Sequence, residues 1–494
     1  MRVAIANDAQ SGDGAITGGG SWPVTAYVYD PMLARSRITG QFVPALAESW
    51  TATDGAGKIW EYKLRQGVKF HNGQPLTSDD VVYTYERLQD PDLKATRAGQ
   101  VKQSVEKVEA VDPLTVRFTL TKPDVTWPAI SSAEFLIPRE YASQVGLQKF
   151  ADQPIGTGPF KLIKREVNNV IEYEANRDYW NSDPGLGVPV IPRVDKAILR
   201  ILPESETRIS ALLAGEVDVI VNVPSTAINR LKGTSGVQLI NEDTGQPLGI
   251  LINSQAEQSP GGGKNPYRDV RVRQALNYAI NLDEIIDKVL TGTEIPNTGV
   301  NRAGLGATND IQPYPFDPQK ARALLDEAGY SNGIKGDDAI IFNPGNRWAQ
   351  SRDVCDAIAG YLRQVGIEAT VRDLEYATAA TELNQKKLYP MAFWGQHPSP
   401  ESINQIEYFF VAPGIRGLYQ GNSAIDTLVA QARTAIDESA RGKLYGQIQK
   451  LFFEDAGHIF LYSAVYTFAT RGGWTWTPAI PTSGEIPLWG LDKA

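Results

Sequence analysis

The sequence predicts an α/β protein with more than one lobe, and three observations carry that reading. Its 494 residues exceed what one core serves, since chains beyond about 250–300 residues split into domains. From about residue 249 to 468, helix-like and strand-like stretches alternate, as in a mixed or parallel sheet covered by helices. Residues 44–88, PALAESWTATDGAGKIWEYKLRQGVKFHNGQPLTSDDVVYTYERL, read as a hairpin followed by a capped helix.

The elements follow in chain order. Met1 to Ala6 starts as a strand. Ser49-Trp50-Thr51 and Trp60 to Leu64 alternate apolar with polar residues, as half-buried strands do. Asp54-Gly55 turns between them. Val68-Lys69-Phe70 reads as a short strand ended by Asn72-Gly73. Thr77 or Ser78 caps a helix with Asp79 and Asp80 in its first turn. Val81, Val82, Tyr85 and Leu88 then recur at helical spacing. Further on, 270–290 reads as one helix with Val272, Leu276, Ala279 and Ile280 on one face. Helices are also predicted over 317–328 and 353–365, with at least two more in 423–453, and strands over 339–342 and 367–374. Internal repeats are not evident.

Composition narrows the class. Hydrophobic content of 42% and charged content of 21% are those of an ordinary globular protein. The net charge of −9 argues against nucleic acid or an anionic membrane as partner. The 31 prolines and 45 glycines are dispersed, which suits short strands and ordered loops. Cys355 is the sole cysteine, so no internal disulfide forms, and its helical stretch suggests a packed thiol. The longest charge-free apolar run, 459–470, is too short to span a membrane and alternates like a strand.

Catalysis has no visible seat. His71, His397 and His458 are the only histidines and lie far apart, with no HExxH spacing. Gly18-Gly19-Gly20 and Pro260 to Lys264 lack the pattern of a phosphate loop, and no Gly-x-Ser-x-Gly elbow occurs. Neither a catalytic residue, a metal site nor a cofactor is expected.

The 44–88 string resembles the signature of the family 5 extracellular solute-binding proteins, the dipeptide- and oligopeptide-type receptors of ABC importers. Four further stretches are similar to that family. They are Ile155-Gly156-Thr157-Gly158-Pro159-Phe160 with Asn176 to Trp180; Arg208 to Leu212 with Gly215 to Asp218; Pro266 to Leu276; and Asp317 to Tyr330. Each is weak alone, but five in the right order cover most of the chain. The resemblance implies a two-lobe clamp of the periplasmic-binding-protein type II fold with an extra inserted subdomain. Lobe I would comprise 1–43, 156–248 and 469–494, the insert 44–155, and lobe II 249–468. It implies a monomer outside the cytoplasm that captures a solute in an interlobe cleft. The solute then passes to a membrane permease driven by a separate ATPase. Family members begin with an export signal, often ending in a lipid-attached cysteine. Here the first residues already resemble the first mature strand, so a removed leader and an added Met1 are expected.

The resemblance points to four binding regions. Gly20, Ser21 and Trp22 follow the first strand, where glycine lets backbone approach a ligand and Trp22 offers a stacking face; a plain connector is the alternative. Asn222 follows the Gly215–Asp218 motif, where oligopeptide receptors offer an Asn to the ligand, or else caps the turn before Pro224. Arg347 and Trp348 follow a strand, and there Arg347 either grips a carboxylate or merely opens a helix. The fourth region is Trp394, Gly395, Gln396, His397 and, beyond two prolines, Glu401. Peptide receptors show a Trp followed by an Asp that holds the ligand's α-ammonium, in strings like "GW.ADYPDP". Here His397 stands in the Asp position, Glu401 is the candidate replacement, and Met391 and Ala392 stand where a basic residue is usual.

Two ligand classes follow. A peptide would use Glu401 in place of the lost carboxylate. A neutral or sugar-like solute would use Trp22, Trp348 and Trp394 for stacking and Asn222, Gln396 and His397 for hydrogen bonds. Peptides rank first, as the commonest family ligands, and nickel is disfavoured by the scattered histidines. A ligand-presenting sensor or chaperone-like clamp is the rival from another class. On this reading Trp394→Ala should weaken binding with little loss of folding.

Overall fold

The computed structural model describes every residue except 17–21, 37, 39, 291, 300, 301, 303, 304, 308, 309, 346, 347, 349, 386, 388, 389, 397–400, 412–417, 477–485 and 494. The chain divides into two compact units, one of Met1–Glu242 with Tyr466–Ala494 and the other of Asp243–Val465. It passes between them twice, inside the strands Val237–Ile252 and His458–Arg471.

The first unit holds two larger sheets, besides the two-stranded pairs Leu33–Arg35 with Phe42–Pro44 and Trp474–Thr475 with Asp492–Lys493. In one, the strands Phe160–Glu166, Val170–Ala175, Lys196–Ile201, Arg2–Ile5 and Val219–Ile220 lie in that order. Arg2–Ile5 runs parallel to both Lys196–Ile201 and Val219–Ile220. The other sheet is antiparallel, in the order Ala47–Ala52, Ile59–Leu64, Thr115–Leu120, Val105–Asp112. Its strands show the period-two pattern, with Trp60, Tyr62 and Leu64 buried. Asp54 makes the hairpin turn by accepting from the N–H groups of Ala56, Gly57 and Lys58. The helix Ser78–Leu88 starts at Thr77, whose N–H and hydroxyl both donate to Asp80, at 2.9 and 3.0 Å. Its Val81, Tyr85 and Leu88 enter a core with Phe118 and Trp127. The strand expected at Val68–Phe70 reduces to a single bridge between Lys69 and Pro75, because Gln74 returns directly to bond the Phe70 N–H.

The structure gives the Gly156–Trp180 motifs a physical reason. A Cβ on Gly156 would sit 2.1 Å from the Val28 carbonyl oxygen, and one on Gly158 would sit 2.4 Å from that of Tyr27. Only glycine permits this approach. Buried Asp30 accepts from Thr157 at 2.9 Å, Tyr179 at 2.8 Å and the Trp180 indole at 3.1 Å. One carboxylate thereby ties the two motifs together, with three donors offsetting its lost hydration.

The second unit carries the strands Thr370–Asp373, Ile340–Asn343, Met391–Gly395 and Val237–Ile252 in that order. The first three run parallel, and the fourth is antiparallel to Met391–Gly395. Helices Val270–Tyr278, Pro318–Glu327 and Ser351–Gln364 cover it, and Cys355 is wholly buried among them. The helix expected over 270–290 breaks after Tyr278, although Ala279 and Ile280 stay buried. Asn281 caps a new turn by accepting from the Glu284 N–H, and a π-helix, Ile285–Val289, follows. A side chain that competes for backbone donors stops the helix despite an unbroken apolar pattern. Arg273 is fully buried and donates to the Tyr267 and Asp455 carbonyls at 2.9 and 2.8 Å, which accounts for one arginine of the Pro266–Leu276 motif.

His458 lies in this unit against the ring of Phe452, 4.9 Å between centroids, and burial pushes its pKa down to about 3. The folded state thus refuses a proton that the unfolded chain accepts near pH 6.5. Its contribution is complete above that pH and declines as pH falls toward 3. At pH 5 the loss should be about 2 kcal/mol. Urea melts at pH 7.5 and 5 check this, with His458→Phe, which removes the titration, as reference. Equal pH dependence in the two proteins would refute it.

Candidate functional site

In open α/β sheets, ligands bind beyond the carboxyl ends of parallel strands, where loops diverge and backbone groups are free. Each unit by itself has such an edge.

In the first unit the edge lies past Ile5, Ile201 and Ile220. Asn222 follows two residues after the last of these and is exposed, with a left-handed φ of 53°. Asparagine tolerates that conformation better than most residues, so a non-glycine here keeps a polar side chain at the edge. Arg208, overlooked as more than a motif residue, fixes this loop from below. It is 4% exposed and donates to the Leu202 and Pro203 carbonyls at 2.8 and 2.7 Å, and more weakly to that of Asn222 at 3.5 Å. Burial lowers its pKa. Trp22 opens the helix Trp22–Val28, half-buried and edge-on to Tyr27 at 6.3 Å. Gly20 and Ser21 lie outside the described residues.

In the second unit the edge lies past Asn343, Asp373 and Gly395. Trp348, Tyr376 and Trp394 cluster there. Trp394 stacks on Tyr376 at 5.5 Å and 16°, and Trp348 meets Trp394 edge-on at 5.4 Å. A Cβ on Gly395 would sit 2.5 Å from the Trp348 Nε1, so glycine is what lets that indole lie over the strand end. Trp348 keeps part of its surface open, whereas Trp394 is 2% exposed and packs with Ala392, Ile403 and Tyr445. The expectation that Trp394 offers an open stacking face is therefore corrected. Its strand is buried on both sides, and the ring belongs to the core.

Gln396 is also buried. Its N–H donates to the Pro247 carbonyl at 2.9 Å, but its side-chain oxygen is sealed from solvent with no hydrogen-bond partner. Asn343 resembles it, donating to Asp373 at 2.7 Å while its own oxygen is sealed and unpaired. The Asn343 amide, and then Arg352, hold the Asp373 carboxyl below its usual range. Glu401 corrects a second expectation. It is 2% exposed, and its oxygens accept from Arg441 at 2.6 and 3.3 Å and from the Tyr445 hydroxyl at 2.8 Å. Arg441 in turn donates to the Ala435 and Ile436 carbonyls. The carboxylate is committed to the scaffold rather than free for a ligand ammonium. Arg347 and His397 lie outside the described residues.

Among the described residues no group of three or more His, Cys, Asp or Glu is placed to hold a metal ion, and no helix is long and apolar enough to cross a membrane. The described edges carry side-chain amides, an indole and the half-exposed Asp373 carboxylate paired with Arg352. These are groups suited to holding a polar solute, which is the task of a solute-binding protein.

Comparison with known proteins gives that class its family. The model of the bacterial extracellular solute-binding proteins, family 5 Middle, matches residues 41–415. The chain is 29% identical over 467 residues to Heme-binding protein A of Haemophilus influenzae, covering 87% of this chain and 80% of that one. It is 28% identical over 467 residues to the Dipeptide-binding protein of Escherichia coli, covering 87% and 82%. The solved structure of HbpA2 from Haemophilus parasuis superposes with a TM-score of 0.85 at 24% identity, over 100% of this chain and 99% of that one, and so shares its fold. The chain belongs to the family 5 extracellular solute-binding proteins, the capture components of ABC importers.

Proposed function

We propose that this protein captures small peptides outside the cytoplasm, as a monomer, and delivers them to a permease driven by a separate ATPase. Trp22, Asn222, Trp348, Gly395 and Gln396 are the proposed contacts among the described residues, with Gly20, Ser21, Arg347 and His397 completing the set from the sequence. The observation that carries the reading is the half-open Trp348 indole at the carboxyl end of the second unit's parallel strands, held against Trp394 at 5.4 Å. An indole face packs against a peptide's apolar side chains while its N–H meets a carbonyl. The 28% likeness to a dipeptide-binding protein supports peptides as the solute.

A thermal-shift screen tests this. A ligand that binds only the folded state raises the unfolding temperature by mass action, by about 2.7 kcal/mol of stability at a hundredfold excess over Kd. Dipeptides and tripeptides should raise it. A response confined to oligosaccharides, or to haemin, would replace the peptide reading.

A further inference from the structure

We infer that the captured peptide carries a lysine or arginine, whose side chain lies in an acidic groove with apolar walls in the first unit. The inference rests on the peptide reading above and narrows it to cationic peptides.

Two hollows meet in the first unit. One, of about 470 Å³, is lined by Ala6 and Asn7, which follow the strand Arg2–Ile5, and by Ile201 and Pro203 at the end of Lys196–Ile201. The other, of about 700 Å³, has Leu93, Leu147, Val167, Asp92 and Asp152 in its walls. Asp8, Gln10 and Asn168 line both, so the two form one groove that starts at the strand ends. Its size is that of a ligand site, which spans about 300–1,000 Å³.

The larger hollow combines apolar surface with unbalanced charge. Leu147 and Val167, 36% and 69% exposed, are two of the six large apolar side chains that stand open among the described residues. Open apolar side chains gathered in a concavity mark a place for a partner. Asp8 is paired with Arg165 at 3.3 Å, and Asp13 with Arg87. Arg165 also donates to the Ala9 carbonyl, so the one cation that lines the groove is already committed. Asp92 and Asp152 are exposed and have no cationic partner among the described residues. Asp152 accepts only from the neutral Gln148 amide, at 3.3 Å.

Lysine and arginine have the matching division. Their methylene stems pack on apolar surface while the cationic head stays at a wet rim. The stem lies against Leu147 and Val167, and the head reaches Asp92 or Asp152. A glutamate in the same place meets like charge, and a purely apolar side chain gains nothing from the carboxylates. Because both carboxylates face water, each contact is modest and salt weakens it.

The test uses alanine tripeptides in which Lys, Glu or Leu occupies each position in turn, titrated calorimetrically into the full chain at low salt and at about 0.15 M salt. At the best position the Lys peptide should bind about tenfold more tightly than the Glu peptide at low salt, with Leu between them and a smaller gap at the higher salt. Asp92→Asn with Asp152→Asn should close most of that gap. Asp326→Asn with Glu327→Gln, exposed on the helix Pro318–Glu327 of the second unit, changes the net charge equally and should leave it intact. Equal affinity for Lys and Glu peptides would overturn the inference while leaving peptide capture standing. So would a gap that survives the first pair of substitutions, or one that closes as much with the second. Binding of none of the peptides would overturn peptide capture and this inference with it.

Discussion

Replacing Glu401 by alanine should lower the unfolding temperature by roughly 10 °C. The carboxylate is 3% exposed and Arg441 is 1% exposed, with 2.6 Å between them. Removing one partner of a buried ion pair strands the other, which costs about 3–5 kcal/mol. For a compact unit of this size each kcal/mol is worth about 2–4 °C. The stranded group is not alone, since Tyr445 also loses its acceptor. A double-mutant cycle with Arg441→Ala isolates the pair: the double variant should be markedly less unstable than the sum of the singles. A Glu401→Ala protein that melts like wild type but no longer holds peptide would mean that the carboxylate faces ligand after all.

Trp394→Ala should be of similar size. The indole is 2% exposed, stacked on Tyr376 and edge-on to Trp348, in a cluster with Ile403, Ile406 and Phe409. Deleting a buried tryptophan removes its transfer free energy and leaves a cavity, about 3–5 kcal/mol together. Chemical denaturation reads it directly. Trp348→Ala is the contrasting variant. Its ring is half-buried, so stability should fall less while peptide affinity falls more. If the two variants exchange these behaviours, Trp394 and not Trp348 is the ligand-facing ring.

The sequence made some of this legible and hid the rest for physical reasons. The helix at Ser78 and the strands around Trp60 were readable because cap, turn and periodicity act within a few residues. Asn222 and Gln396 were visible only through resemblance, since the strands before them, Val219–Ile220 and Met391–Gly395, are buried throughout and show no alternation. The break at Asn281 was hidden because apolar residues continue at helical spacing beyond it. The need for Gly156 and Gly158 was visible only as resemblance, since the backbone they approach lies about 130 residues earlier in the chain. Glu401 looked available because its partner Arg441 lies 40 residues away on another helix. Trp394 looked like a ligand platform because a strand buried on both faces gives no alternation to separate core from site.

Hydrogen exchange tests the central claim most directly. The claim is that the ligand contacts of each unit lie at the carboxyl ends of its own parallel strands. The protein is compared alone and with whichever ligand most raises its unfolding temperature. Exchange should slow in segments covering 221–224 and 391–396 and stay unchanged in the antiparallel sheet at 105–120. Protection confined to other surfaces would contradict the account.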